Sequence, residues 1–100
     1  MTYVITFQGL TGTPVGAHLH GPAGANEAAD ILVEFTIAGQ ASTAGALTGT
    51  FTASAIRGVN GQPPMSLDAL VALMNAGNSY VNVHTTQFPG GEIRGQVSPP

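Results

Sequence analysis

Apolar and polar residues alternate along most of this chain, the pattern of half-buried β-strands. Tyr3, Ile5 and Phe7 share one face, Val4, Thr6 and Gln8 the other, and Gly9 ends the run. Pro14 to His20 repeats the alternation, with Val15, Ala17 and Leu19 opposite Gly16, His18 and His20. Gly21-Pro22-Ala23-Gly24 then breaks the strand into a loop. Asp30 to Thr36 is a third strand, apolar on both faces at Ile31-Leu32-Val33, which predicts a central position in its sheet. The small, polar stretch 38–45 suits a connection. In Ala46 to Ala53, Leu47 and Phe51 point inward and Thr48, Thr50 and Thr52 outward; Gly49 marks a bulge or a close backbone approach.

Periodicity changes after the turn-rich loop Asn60-Gly61-Gln62-Pro63-Pro64. Leu67, Leu70, Val71 and Met74 fall at i, i+3, i+4 and i+7, one stripe of a helix. Ser66 is placed to cap it, Asp68 favours its N-terminus, and Gly77 closes it. Two strands finish the chain, Ser79 to Thr86 and Glu92 to Val97, joined through Phe88-Pro89-Gly90-Gly91. The expected class is all-β: a Greek-key β-sandwich or barrel of about six to eight strands with one short helix. A single domain is expected over residues 1–100.

Charge removes several function classes. Charged residues make up 7% of the chain, lysine is absent, and Arg57 and Arg94 face five carboxylates for a formal charge of −3. So little positive surface argues against nucleic acid and against anionic membranes. Without cysteine there is no disulfide framework and no thiolate metal site. No apolar run reaches the ~20 residues that span a bilayer. No signal peptide is expected in this chain, because Met1 leads directly into a strand pattern.

Histidine carries the candidate chemistry. There are three in the chain: His18 and His20 in Ala17-His18-Leu19-His20, and His84 in Tyr80-Val81-Asn82-Val83-His84-Thr85. Residues two apart on a strand share a face, with Cα atoms about 6.5–7 Å apart. Two imidazoles at that spacing can grip one ion, and a third from a neighbouring strand completes a His₃ site for copper or, as the alternative, zinc. The competing expectation is structural: His18 and His20 hydrogen-bond the loop after Gly21, and His84 caps a cross-strand network with Asn82.

Glu92 and Asn82 are candidates to orient a ligating imidazole, and Glu92 to be a fourth ligand. Against this, Glu92 is expected to pair with Arg94 and fix the last strand, and Asn82 to bond backbone. Tyr80 reads as a packing residue. Met65 and Met74 have thioethers that suit Cu(I), but Met74 lies on the apolar helix stripe and reads as core. Gly90-Gly91 is a turn with no helix behind it to cradle phosphate. No serine–histidine–carboxylate spacing supports a hydrolase.

Two long motifs resemble those of a known family. Ala17-His18-Leu19-His20-Gly21-Pro22-Ala23 is one; Tyr80 to Thr85 followed by Phe88-Pro89-Gly90-Gly91-Glu92-Ile93-Arg94-Gly95-Gln96-Val97 is the other. Both are similar to the signatures of the CHRD (chordin-type) domain, over nearly the whole chain. The resemblance implies a β-sandwich module of secreted or cell-surface proteins, hence an extracellular or periplasmic location, and it implies no defined activity. Members of that family begin with a further strand or hairpin ahead of the segment equivalent to Tyr3–Gln8. It is missing here, so an open sheet edge is expected, one that a second copy of the chain can cover.

Three functions follow from these readings. The first is a metal-binding module, copper before zinc, using His18, His20 and His84. The second is a structural or adhesive interaction domain with incidental histidines. The third is a redox enzyme of superoxide-dismutase type, since a strand-borne His-x-His resembles the copper ligand pattern of copper–zinc superoxide dismutase. Two arginines give an anionic substrate little steering, which ranks it last. No catalytic residue is assigned.

Overall fold

The computed structural model describes residues 1–35, 37, 42–59 and 61–97. Six strands, one α-helix and a 3-10 turn follow one another as β1 (Thr2–Phe7), β2 (Pro14–His20), β3 (Ile31–Phe35), β4 (Gly45–Thr50), a 3-10 turn (Ala53–Ala55), α1 (Leu67–Asn75), β5 (Tyr80–Thr85) and β6 (Ile93–Gln96). Strands β1 and β4 form one sheet and β3-β2-β5-β6 the other, with every pairing antiparallel. The arrangement is sandwich-like, and the sheets do not close into a barrel.

Alternation along the strands builds the core between the sheets. Phe7, Ala17, Leu19, Val33, Phe35, Leu47, Phe51 and Val83 are buried together. Tyr3 packs tilted against Phe35, with ring centroids 4.6 Å apart. It pairs with Gly49, where an added Cβ would lie 2.7 Å from the Tyr3 hydroxyl. The β1–β4 register runs without a shift, so Gly49 serves a close approach and not a bulge.

The helix forms where its caps predict. Ser66 accepts a hydrogen bond from Ala69 N through its side chain, and Gly77 takes φ +75 beyond the last turn. Leu70 is fully buried, and Leu67, Leu73 and Met74 pack against the core. Leu73 thus takes the place expected for Val71. Met65 packs against the core as well.

Two expectations are corrected. Strand β3 lies at the edge of the four-stranded sheet, not at its centre. Leu32 and Val33 are nonetheless both buried, because the chain after β4 covers that edge: Arg57 N donates to Leu32 O at 2.8 Å. Val15 was expected to point inward with Ala17 and Leu19, yet it is 51% exposed. The register shifts between Pro14 and Gly16, and this irregularity turns Val15 out. Of the remaining expectations, Thr36 at the end of the third strand, residues 38–41 of the connection and Asn60 in the turn-rich loop lie outside the described residues.

The two-stranded sheet is narrower than the one it faces. A groove of ≈ 300 Å³ therefore runs along β1, with Ile5 and Phe7 on one wall and Val81, Val83, Ile93 and Val97 on the other.

Candidate metal centre

Strands β2 and β5 are neighbours, and their register assembles the site. His18 stands opposite Asn82, Gly16 opposite His84, and His20 opposite Tyr80. His84 therefore lies diagonal to His18, across the position where Gly16 offers no side chain. One ligand nitrogen from each of His18, His20 and His84 lies within 4.8 Å of the others. The structure brings together the three residues expected to meet.

Each ring is oriented by a specific partner. His84 Nδ1 is 2.9 Å from Pro89 O, and His20 Nδ1 is 2.9 Å from Ala29 O. A carbonyl only accepts, so both Nδ1 atoms carry the proton and both Nε2 atoms keep the lone pair in the neutral ring. Ligating histidines are commonly held this way, with the other ring N–H on a carbonyl. His84 Nε2 accepts from His18 Nδ1, 2.9 Å away. His20 Nε2 lies 2.9 Å from Asn82 Oδ1. That amide offers either end: its oxygen accepts from a protonated ring, and after a half-turn its –NH₂ donates to a neutral one.

Packing adds to these bonds. The His20 ring is parallel to Tyr80, at 2° and 4.8 Å between centroids, and His20 is only 8% exposed. His18 meets His20 and His84 edge-on. Burial lowers the pKa of His18, and the neighbouring His84 lowers it further, against a weaker opposing pull from Glu34. Its neutral form, the form that binds metals, is therefore favoured. Gly91 closes the far side at φ +117, where a Cβ would come within 3.1 Å of Asn82 Nδ2 and 3.8 Å of His84 Cε1. Only glycine takes that conformation and that space without strain.

Other expectations are redistributed. Asn82 bonds the His20 side chain and not backbone, and it is His20, not His84, that it joins. Glu92 directs its carboxylate to Thr11 and Thr85: Oε1 accepts from Thr85 Oγ1 at 2.8 Å and from Thr11 Oγ1 at 3.0 Å, while Oε2 accepts from Thr11 N at 2.7 Å. Desolvation raises its pKa, but these hydrogen bonds outweigh that and hold the carboxyl below its usual range. Glu92 thus clamps the β1–β2 loop to the end of β5 and makes no described hydrogen bond to a histidine.

Arg94 does not pair with Glu92 either; among the described residues the ion pair is Arg57 with Glu34. The Arg94 guanidinium lies 3.5 Å over the Tyr80 ring and donates to Glu27 O and Gly24 O. The bond from His20 to Ala29 O is the expected one to the loop after Gly21, whereas His18 bonds His84 instead; the Pro89 carbonyl and the role of Arg94 have no counterpart in the sequence reading. The available signal was parity alone: Arg94 and Gln96 face the same way as Asn82 and Tyr80 once β6 is paired with β5.

A family model described as CHRD domain matches residues 1–97. No curated protein and no solved structure matches the chain.

Proposed function

The chain belongs to the CHRD domain family, and on that premise we propose that it is a metal-binding β-sandwich module of an exported protein, holding one divalent ion through His18, His20 and His84. The observation that carries this reading is the convergence of three ligand nitrogens within 4.8 Å in a chain with no other histidine. On His20 and His84 an Nδ1–H bonded to a carbonyl leaves the Nε2 lone pair available to an ion. The family's occurrence in extracellular proteins supports reading the chain as exported; no described helix is long and apolar enough to cross a membrane.

Copper is the preferred ion and zinc the alternative. The preference rests on the donor set, since divalent copper binds nitrogen ligands more tightly than zinc does. The 2.9 Å between His18 Nδ1 and His84 Nε2 is a hydrogen bond of the metal-free pair, and for His18 to bind an ion through Nδ1 its proton would have to move to Nε2.

A second reading has its own observation. Every ring in the cluster has a protein hydrogen-bond partner, His20 and His84 at both nitrogens, so the network is also a way to satisfy polar groups in a structural or adhesive domain. Titration calorimetry on untagged protein separates the two. One equivalent of Cu(II) or Zn(II) is expected to bind near neutral pH, with His84→Ala losing at least tenfold in affinity. No uptake, or uptake unchanged in His84→Ala, refutes the metal reading.

A further inference from the structure

Arg94 makes no described contact with the three histidines, yet it fastens the loop and covers the ring that place the carbonyl bonded to His20. Nη1 donates to Glu27 O at 2.6 Å, and Nη2 donates to Gly24 O at 3.0 Å and to Gln96 Oε1 at 2.6 Å. Gln96 Nε2 in turn donates to Ala23 O at 3.1 Å and to Gly77 O at 2.9 Å. One guanidinium and one amide thus hold the start and middle of the loop between β2 and β3. The end of that loop is held by Tyr80, whose hydroxyl accepts from Ala29 N at 3.1 Å. Tyr80 is itself covered by the Arg94 guanidinium and lies parallel to the His20 ring. Ala29 O receives the His20 Nδ1–H.

We infer that Arg94 is a positioning residue for the histidine site: by fastening residues 23–29 and covering Tyr80, it holds Ala29 O where it fixes His20 in the Nδ1–H tautomer and so leaves the Nε2 lone pair available to an ion. The inference deepens the metal reading and rests on it for its purpose. The hydrogen-bonding claim itself concerns the metal-free protein. The fork geometry matters, because a planar guanidinium reaches two carbonyls and a ring face at once, whereas an ammonium is a single point donor. Backbone bonds hold the two ends of the loop, Ala23 N to Asn78 O at 2.8 Å and Gly21 N to Asp30 O at 3.4 Å, and Glu27 N to Gly24 O at 3.2 Å closes a turn within it. Between those ends Ala25, Asn26, Glu27 and Ala28 are exposed, and the one described side-chain bond between residues of the loop itself is Gly24 N to Glu27 Oε1 at 2.8 Å. Without Arg94 the middle of the loop loses two carbonyl anchors and Tyr80 loses its cover, which loosens the Ala29 O contact that distinguishes the two His20 nitrogens.

Nitrogen-15 NMR of the imidazoles in metal-free protein above pH 8 reads the tautomer directly. His20 is expected as the Nδ1–H form in the wild type, and as a mixture with the Nε2–H form in Arg94→Gln. Tyr80→Phe keeps the ring over His20 but frees Ala29 N; it is expected to shift the balance in the same direction, and it carries the test alone if Arg94→Gln does not fold. Zn(II) affinity, measured on the same samples, is expected to fall about tenfold in both variants, the range seen when a partner behind a metal ligand is removed. An unchanged His20 tautomer in the folded variants overturns the inference, whatever happens to stability. A wild type that takes up no metal while the variants shift the tautomer refutes the metal reading and leaves the positioning role standing.

Discussion

Leu19 and His20 are adjacent on β2 and point to opposite faces, and truncating each to alanine separates packing from ligation. Leu19 is 1% exposed and belongs to the central cluster, so Leu19→Ala is expected to cost about 2–5 kcal/mol. For a domain of this size that lowers Tm by roughly 10–30 °C. His20→Ala removes the parallel contact with Tyr80, worth about 0.5–1.5 kcal/mol, and two hydrogen bonds whose net value is ~1 kcal/mol each. The groups left behind are not stranded: Ala29 O keeps the Tyr80 hydroxyl at 3.4 Å, and Asn82 is only half-buried and reaches water. The metal-free loss should therefore be about 2.5–3.5 kcal/mol at most, within the range for Leu19→Ala. The response to metal is what separates the two. At a free concentration 100 times Kd, an ion that binds only the native state adds about 2.7 kcal/mol. Wild type and Leu19→Ala should both show that gain in thermal melts with Cu(II), while His20→Ala should show almost none. Equal metal stabilisation in His20→Ala would refute the ligand assignment. A Leu19→Ala loss under ~1 kcal/mol would refute the face assignment beneath it.

Two further expectations concern pH and assembly. The pKa of His18 is lowered in the fold, so the unfolded chain binds more protons around pH 6 and metal-free stability should fall as pH drops below about 6.5; metal affinity should fall over the same range, and His18→Gln, which cannot titrate, should flatten the slope of the denaturant midpoint against pH. Strand β1 pairs only with β4 among the described residues, carries no charge or proline, and borders the apolar groove, so pairing of this edge with a second copy should give a dimer in light scattering; a mass of 10.1 kDa at high concentration would count against it.

The local parts of this structure are legible in the sequence because they depend on neighbours along the chain. Ser66, Asp68 and Gly77 delimit the helix by capping chemistry, and the parity of His18 and His20 on β2 needs nothing beyond the strand period. That His84 would join them needed only the assumption that β2 and β5 are adjacent. What parity does not give is register. The bulge at Pro14–Gly16 that exposes Val15, and the placement of Asn82 against His20 across 62 residues, follow from which strand lies beside which and at what offset. Glu92 was misread for the same reason: its partners Thr11 and Thr85 lie on a distant loop and at the end of β5. Strand β3 was misread because its apolar outer face is covered by the segment around Arg57 and not by another strand. Such tertiary cover leaves no period in the sequence.

His18 and His84 meet across 66 positions of chain, and all of β3, β4 and α1 lies between them. During synthesis the His-x-His pair is complete long before the third nitrogen exists, and the third cannot take its place until β5 has zipped onto β2. At that stage the early pair offers an ion at most two ligands. The three-ligand site proposed above would belong only to the finished sheet. An ion therefore cannot seed this fold as it seeds a zinc finger, whose ligands are close in sequence; it can only lock one already made. The long loop it would close makes that lock effective, because the denatured chain it excludes has the most freedom to lose. Loading should thus slow unfolding while leaving the folding rate nearly unchanged.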